Sequence, residues 1–256
     1  MKNLGFIGTG NITTALIEGL CTTGEAPESV LVSPRNAAKA SRLAEKFYQV
    51  KVMDSNQQVI DGSDIAFLAL RPEIAPDVLP QFHFREDQKI VSLIAVTPIN
   101  LIKKFIGDMH HVVRAVPLPT VAQQKGPVIL YPDDPEVGNI FKKVGTLFTV
   151  SSERDIGLLA SVTALISPFF ALMGAVSDWA ATGGIEKSVA HQYTVSMFHA
   201  LSLQAMTMDK SNFSELAVEA ATPGGLNEQA LAIISEKGGF NSFLDALNAV
   251  AARSGD

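Results

Sequence analysis

Short, almost uniformly apolar runs separated by polar, helix-patterned stretches fill the first 150 residues. The runs lie at 4–7, 30–33, 51–52, 65–70, 90–94, 112–116, 128–131 and 147–150. Several lack the alternation of apolar and polar positions that a sheet with one wet face would show, so they predict strands covered on both sides. Helical patterns at 13–20, 37–47 and 99–105 fall between them. This rhythm predicts an α/β fold over 1–150, a doubly wound parallel sheet covered by helices on both sides.

The pattern changes near residue 150. Of the thirteen prolines, only Pro168 and Pro223 follow Ser151. The spacing predicts a long helix over 153–181, capped by Ser151 or Ser152 and bent at Pro168. Gly183-Gly184 should break it, with a second helix over 185–208. A short helix should start at Asn212, with Glu215 as its capping partner, another after Gly224-Gly225, and a last one over 242–253. Leu158-Leu159-Ala160 and Phe169-Phe170-Ala171-Leu172-Met173 are apolar nearly all round. A helix without a polar stripe needs cover on every side. About a hundred residues cannot supply that cover alone, so 151–256 is expected to be an all-helical domain that shares its core with a second copy, in a homodimer or higher homo-oligomer.

The first strand runs straight into Gly8-Thr9-Gly10-Asn11-Ile12 and then into a helical pattern. A strand, a glycine turn and a helix start make an anion site: Gly8 allows the tight turn, Gly10 lets phosphates approach the backbone, and the helix N–H groups face them. Thr13 stands where a third small residue is usual, leaving Ala15 to pack against the strand. A dinucleotide pyrophosphate is the expected ligand, held by Gly8, Thr9, Gly10, Asn11 and Ile12. The second strand ends in Ser33-Pro34-Arg35-Asn36 with no carboxylate for ribose hydroxyls. Ser33 and Arg35 instead suit the 2′-phosphate of NADPH, with NADH possible. Ligands of open α/β sheets lie beyond the carboxyl ends of strands. The backbone at Leu70, Arg71 and Pro72 after strand four, and at Ala95 after strand five, is therefore expected to flank the nicotinamide half.

Two further segments carry chemistry. Arg114, inside the apolar run 112–116, would be costly to bury alone and should meet a carboxylate or backbone carbonyls. Thr222-Pro223-Gly224-Gly225-Leu226-Asn227 opens a helix whose unpaired N–H groups can hold a small carboxylate. Gly224, Gly225 and Leu226 are the expected substrate contacts, with Thr222 and Asn227 as catalytic side chains that orient the reacting group.

Bulk properties narrow the class. A net charge of −6 with no basic run argues against nucleic acid. No run of about 18 uncharged apolar residues is expected, so no membrane span is read. The strand that starts within three residues of Met1 leaves no room for a secretory leader, and a cytoplasmic location is expected. Cys21, the only cysteine, reads as a packing residue. No His-Glu-x-x-His or Gly-x-Ser-x-Gly pattern is present, and no metal site is expected.

In order and spacing these segments resemble the pyrroline-5-carboxylate reductase family over nearly the whole chain. The likeness rests on Gly5-Phe6-Ile7-Gly8-Thr9-Gly10-Asn11-Ile12, Ser33 and Arg35, Ala69-Leu70-Arg71-Pro72, Val113-Arg114-Ala115-Val116-Pro117, Glu153-Arg154-Asp155, Thr222-Pro223-Gly224-Gly225 and Asp245-Ala246. The resemblance implies a Rossmann domain followed by a helical dimerisation domain, and NADPH-dependent reduction of a small cyclic imine beside the Pro-Gly-Gly helix start. Departures fall at the substrate end. Leu226 and Asn227 replace two threonines, Leu165-Ile166-Ser167-Pro168-Phe169-Phe170 replaces Gly-Ser-Gly-Pro-Ala-Tyr, Val116-Pro117-Leu118-Pro119-Thr120 replaces Met-Pro-Asn-Thr-Pro, and Arg71 replaces a lysine. Two other readings remain: a β-hydroxyacid dehydrogenase using Lys187 as acid/base, and an NADP-binding dimer without catalysis.

Overall fold

The structure, a computed structural model, describes residues 2–207 and 212–254. The chain divides into two compact units, Met1–Ala160 and Ser161–Asp256. In the first, β1 (Leu4–Ile7), β2 (Val30–Val32), β3 (Val50–Val52), β4 (Ile65–Leu68), β5 (Lys89–Ser92), β6 (Val112–Pro117), β7 (Pro127–Tyr131) and β8 (Thr146–Thr149) form one sheet. Its order is β3-β2-β1-β4-β5-β6-β7-β8. Pairing is parallel from β3 through β6 and antiparallel between β6 and β7, and β8 runs parallel to β7. Only a short 3-10 turn, Pro119–Gln123, lies between β6 and β7, too little chain for a parallel crossover. The order reverses between β1 and β4, which sets the ligand crevice at the carboxyl ends of these strands.

Six helices cover the sheet: α1 (Asn11–Cys21), α2 (Ala37–Lys46), α3 (Asn56–Gly62), α4 (Ala75–Val78), α5 (Ile99–Ile106) and α6 (Pro135–Lys142). Leu16, Ile17 and Leu20 of α1, Leu43 of α2 and Phe141 of α6 pack with Phe6, Phe67, Val91 and Val113 in one core. Phe6 stacks on Phe67 with ring centroids 4.6 Å apart, and Phe141 meets Phe67 edge-on. Val59 and Ile60 of α3, Ala75 of α4 and Ile102 of α5 pack with Ile7, Ala66, Leu68 and Ile90 in a second. Two cores filled by alternate residues of the same strands are what uniformly apolar strands require.

In the second unit the 153–181 prediction resolves into α7 (Glu153–Val162), which begins within the first unit, a 3-10 turn at Thr163–Leu165, and α8 (Ile166–Thr182). The Ser152 hydroxyl accepts the Asp155 N–H at 3.2 Å, so Ser152 is the capping serine. The break precedes Pro168 because a proline in the first turn of α8 sacrifices no helical hydrogen bond. Glu153–Thr182 holds a window of mean hydropathy 2.1 and passes for a membrane-crossing helix by length and composition alone, while nothing else in the chain points to a membrane.

The remaining helices are α9 (Lys187–Thr207), α10 (Phe213–Ala220), α11 (Leu226–Glu236) and α12 (Gly239–Ser254). Helix α9 starts two residues later than predicted because the Glu186 carboxylate accepts the Ser188 N–H. The predicted end at Met208 lies outside the described residues. Asn212 caps α10 through Ser214 N–H and bonds Glu215, the pair that the sequence marks. This unit buries few large side chains, and Phe170, Trp179 and Tyr193 are 64%, 78% and 72% exposed.

Candidate active site

Strand β1 delivers the chain into Gly8, whose φ of 102° lies in the left-handed region. A Cβ there would stand 2.3 Å from the Ala69 carbonyl oxygen. Only glycine fits this turn, and its tightness brings the end of β1 against the loop after β4. Three side chains fix it. The Ser33 hydroxyl accepts the Gly8 N–H at 2.9 Å, Thr9 donates to the Ser33 carbonyl at 2.9 Å, and Thr13 donates to the Gly8 carbonyl at 2.7 Å. The departure at Thr13 is thus a lock on the turn.

Gly10 then serves as N-cap of α1, with no side-chain cap bond and no acid in the first turn. A Cβ on Gly10 would meet nothing within 4 Å. Open space at Gly10, at the start of a helix with no acid in its first turn, is what the approach of a pyrophosphate needs. The residues therefore fit a dinucleotide at Gly8, Gly10, Asn11 and Ile12. Thr9 and Ser33 are buried, at 3% and 0% exposure, and their hydroxyls are committed to the turn. The Ser33 hydroxyl is turned into the glycine turn, and Arg35, two residues on, is exposed. Lys39 was missed by the sequence reading. Its Nζ reaches Asn11 Oδ1 at 2.5 Å, placing a cation between the first turns of α1 and α2. Its place in the first turn of α2, four residues past Arg35 in the chain, is the signal that could have found it.

The loops after β4 and β5 lie side by side, because Leu68 pairs with Ser92 and the Leu93 N–H bonds the Leu68 carbonyl. Leu70 and Pro72 are half-buried and Arg71 and Ala95 are exposed at this rim. Arg114 meets its expected carboxylate, donating from Nη1 to Glu153 Oε1 at 2.9 Å. The same oxygen accepts the Ile99 N–H at 2.9 Å. Glu153 thus ties β6 to the start of α5.

The segment before α11 is more occupied than its sequence suggests. The Gly224 N–H donates to Glu228 Oε2 at 2.7 Å and the Gly225 N–H to the Thr222 carbonyl at 2.8 Å. Of the N–H groups assigned to a substrate carboxylate, those of Leu226 and Asn227 are the ones left by these bonds. Asn227 Nδ2 donates to the Ala220 carbonyl at 3.0 Å, so this amide also closes its own loop. Leu226 is 84% exposed. Burial pushes the Cys21 thiol up to about 11, which suits a packing residue. Lys187, the dehydrogenase candidate, stands 3.9 Å from Asp178 on the surface.

Residues 3–97 match the family described as NADP oxidoreductase, coenzyme F420-dependent, and residues 156–256 match pyrroline-5-carboxylate reductase dimerisation. The pyrroline-5-carboxylate reductase of Pseudomonas aeruginosa is 25% identical, over 99% of this chain and 96% of its own. Over nearly its whole length the chain is similar to the pyrroline-5-carboxylate reductase family. Pyrroline-5-carboxylate reductase 3 of Danio rerio is 27% identical, over 98% of this chain and 88% of that one. The solved reductase of Coxiella burnetii superposes with a TM-score of 0.86 at 25% identity, covering 99% of this chain and 97% of its own. The Plasmodium falciparum enzyme, solved with NADP bound, shares the fold with a TM-score of 0.85 at 17% identity and the same coverage.

Proposed function

We propose that this chain is an NADPH-dependent reductase of a small carboxylated cyclic imine, converting pyrroline-5-carboxylate to proline. The observation that carries this reading is the open, acid-free start of α1 behind a glycine turn, joined in one chain to a segment that matches the reductase dimerisation family. Bound NADPH supplies a hydride. The chain's own residues then have three tasks: hold the dinucleotide, fix the imine's carboxylate and orientation, and admit a proton to nitrogen. Gly8, Gly10, Asn11 and Ile12 take the pyrophosphate, Arg35 the 2′-phosphate, and the backbone at Leu70, Arg71, Pro72 and Ala95 the nicotinamide end. For the substrate we assign the N–H groups of Leu226 and Asn227, framed by Gly224 and Gly225. Thr222 and the free Oδ1 of Asn227 are the polar side chains that orient the imine. The lone, inert Cys21 accords with a reducing cytoplasm.

The test is NADPH oxidation by the purified chain with pyrroline-5-carboxylate, monitored alongside oxidation of proline and of 3-hydroxy acids at high pH. Turnover of the imine and proline alone supports the reading. Turnover of hydroxy acids would favour the dehydrogenase reading, and tight NADPH binding without turnover across cyclic imines would make the chain a non-catalytic dinucleotide-binding protein.

A further inference from the structure

The loop after β5 holds a combination that the cofactor assignment leaves unexplained. Val96 sits at φ 48°, in the left-handed region, and is 62% exposed. A β-branched side chain crowds its own backbone there, which makes the conformation rare for valine. Among the described residues nothing repays this by burying the isopropyl group. The strain is imposed by its neighbours. Ile94 and Thr97 are buried at 2% and 5%, the Thr97 hydroxyl donates to the Ala95 carbonyl at 3.0 Å, and Pro98 starts α5, whose Ile99 N–H is held by Glu153. Two buried anchors and a pinned helix push the Ala95-Val96 corner outward.

The corner lies at the carboxyl end of β5, beside the loop after β4 and on the far side of β1 from Ser33 and Arg35. With the adenosine end over β2, the nicotinamide end of a dinucleotide extends toward β4 and β5. We propose that Val96 is a cofactor-contacting residue, held in a strained conformation so that its isopropyl group packs against the nicotinamide of bound NADPH. Strain stored at a ligand clamp is what an exposed, over-determined outlier points to. A flat ring in turn gives that side chain the apolar partner that the protein withholds. The inference rests on the NADPH reading of the glycine turn and not on the identity of the imine.

The test uses the full chain and two variants, Val96→Gly and Val96→Ala, with binding measured by calorimetry for NADPH and for 2′,5′-ADP, which carries the adenosine end alone. Val96→Gly should raise the apo-protein Tm, because glycine relaxes at this φ, yet weaken NADPH about tenfold through loss of one aliphatic contact. Its 2′,5′-ADP affinity should stay within about twofold of wild type. Val96→Ala, which keeps a Cβ but loses both methyl groups, should weaken NADPH similarly without the gain in Tm. Unchanged NADPH affinity in both variants, or NADPH affinity retained by alanine and lost by glycine, would overturn the side-chain contact. Parallel loss of NADPH and 2′,5′-ADP would overturn it in favour of a structural role. Failure of the wild-type chain to bind 2′,5′-ADP would remove the NADPH reading and the Val96 assignment with it, a result distinct from all of these.

Discussion

In the proposed complex Arg35 carries the cofactor preference, because the hydroxyl of Ser33 is spent elsewhere. Ser33 is buried and bonds the Gly8 N–H, so the proposal gives the 2′-phosphate to the Arg35 guanidinium at the exposed end of β2, where an NAD-type site would place a carboxylate. Arg35→Ala should weaken NADPH about tenfold or more, the equivalent of about 1.5–3 kcal/mol for a charged hydrogen bond, and leave NADH nearly untouched. Equal loss for both would place Arg35 outside the cofactor site. Asn227→Ala should lower kcat/KM by about tenfold to a hundredfold at unchanged NADPH affinity, the range for one hydrogen bond of about 1.4–2.7 kcal/mol. Steady-state kinetics with pyrroline-5-carboxylate checks this, and a full-activity variant would confine Asn227 to closing its loop onto Ala220. Residue types that take a ligand's place were legible in the chain: glycines at a strand end, an arginine where an acid is usual. What each hydroxyl or carboxylate bonds internally was not. Glu228 reaching back to Gly224 and Ser33 turning into the glycine loop are choices of rotamer and backbone that no local pattern specifies.

Helix α6 shows how a capping residue can carry an ion-pair network. Asp134 accepts from Glu136 N–H and Val137 N–H at 3.0 Å each, and its carboxylate also meets Lys89 Nζ at 2.8 Å and His111 Nε2 at 3.0 Å. Burial alone would push this carboxyl up. Bonds from Lys89, the Val137 N–H and His111 outweigh it and hold the group below the usual carboxylate range. A carboxyl whose folded pKa is depressed stabilises the fold above its unfolded pKa, and the contribution is lost as pH falls toward the folded value. Asp134→Ala should therefore cost about 2–3 kcal/mol at pH 7, a cap plus charged hydrogen bonds. The deficit should shrink as thermal melts are repeated from about pH 5 downward. A cost independent of pH would leave only the uncharged part of the cap. Asp134-Pro135-Glu136 is a strong helix start in the sequence, yet α6 was not among the predicted helices, since its eight residues include a glycine and only three large apolar positions, Val137, Ile140 and Phe141. Strands β1, β4 and β5 were read correctly because uniform hydrophobicity has one explanation in a sheet covered on both faces. The reversal of β7 depended on a connection too short to cross over, which is a matter of geometry.

At the scale of the whole molecule, the second unit poses a question of solvent. Phe170, Trp179 and Tyr193 are mostly exposed, and Glu153–Thr182 is apolar enough for a membrane by composition. One finding argues against lipid as the cover: residues 156–256 match a dimerisation family. Each exposed aromatic contributes on the order of 25 cal/mol per Å² once covered, so an interface of about 1,600 Å² built from such side chains is sufficient for a stable dimer. Light scattering of the full chain at micromolar concentration, without detergent, should give at least twice 27.3 kDa. Replacing Phe170 and Trp179 with aspartate should shift the chain toward monomer while 2′,5′-ADP binding persists, because the glycine turn lies within the first unit. A wild-type monomer would remove the shared core. Sedimentation of the chain with phosphatidylcholine vesicles would return the apolar helices to a membrane.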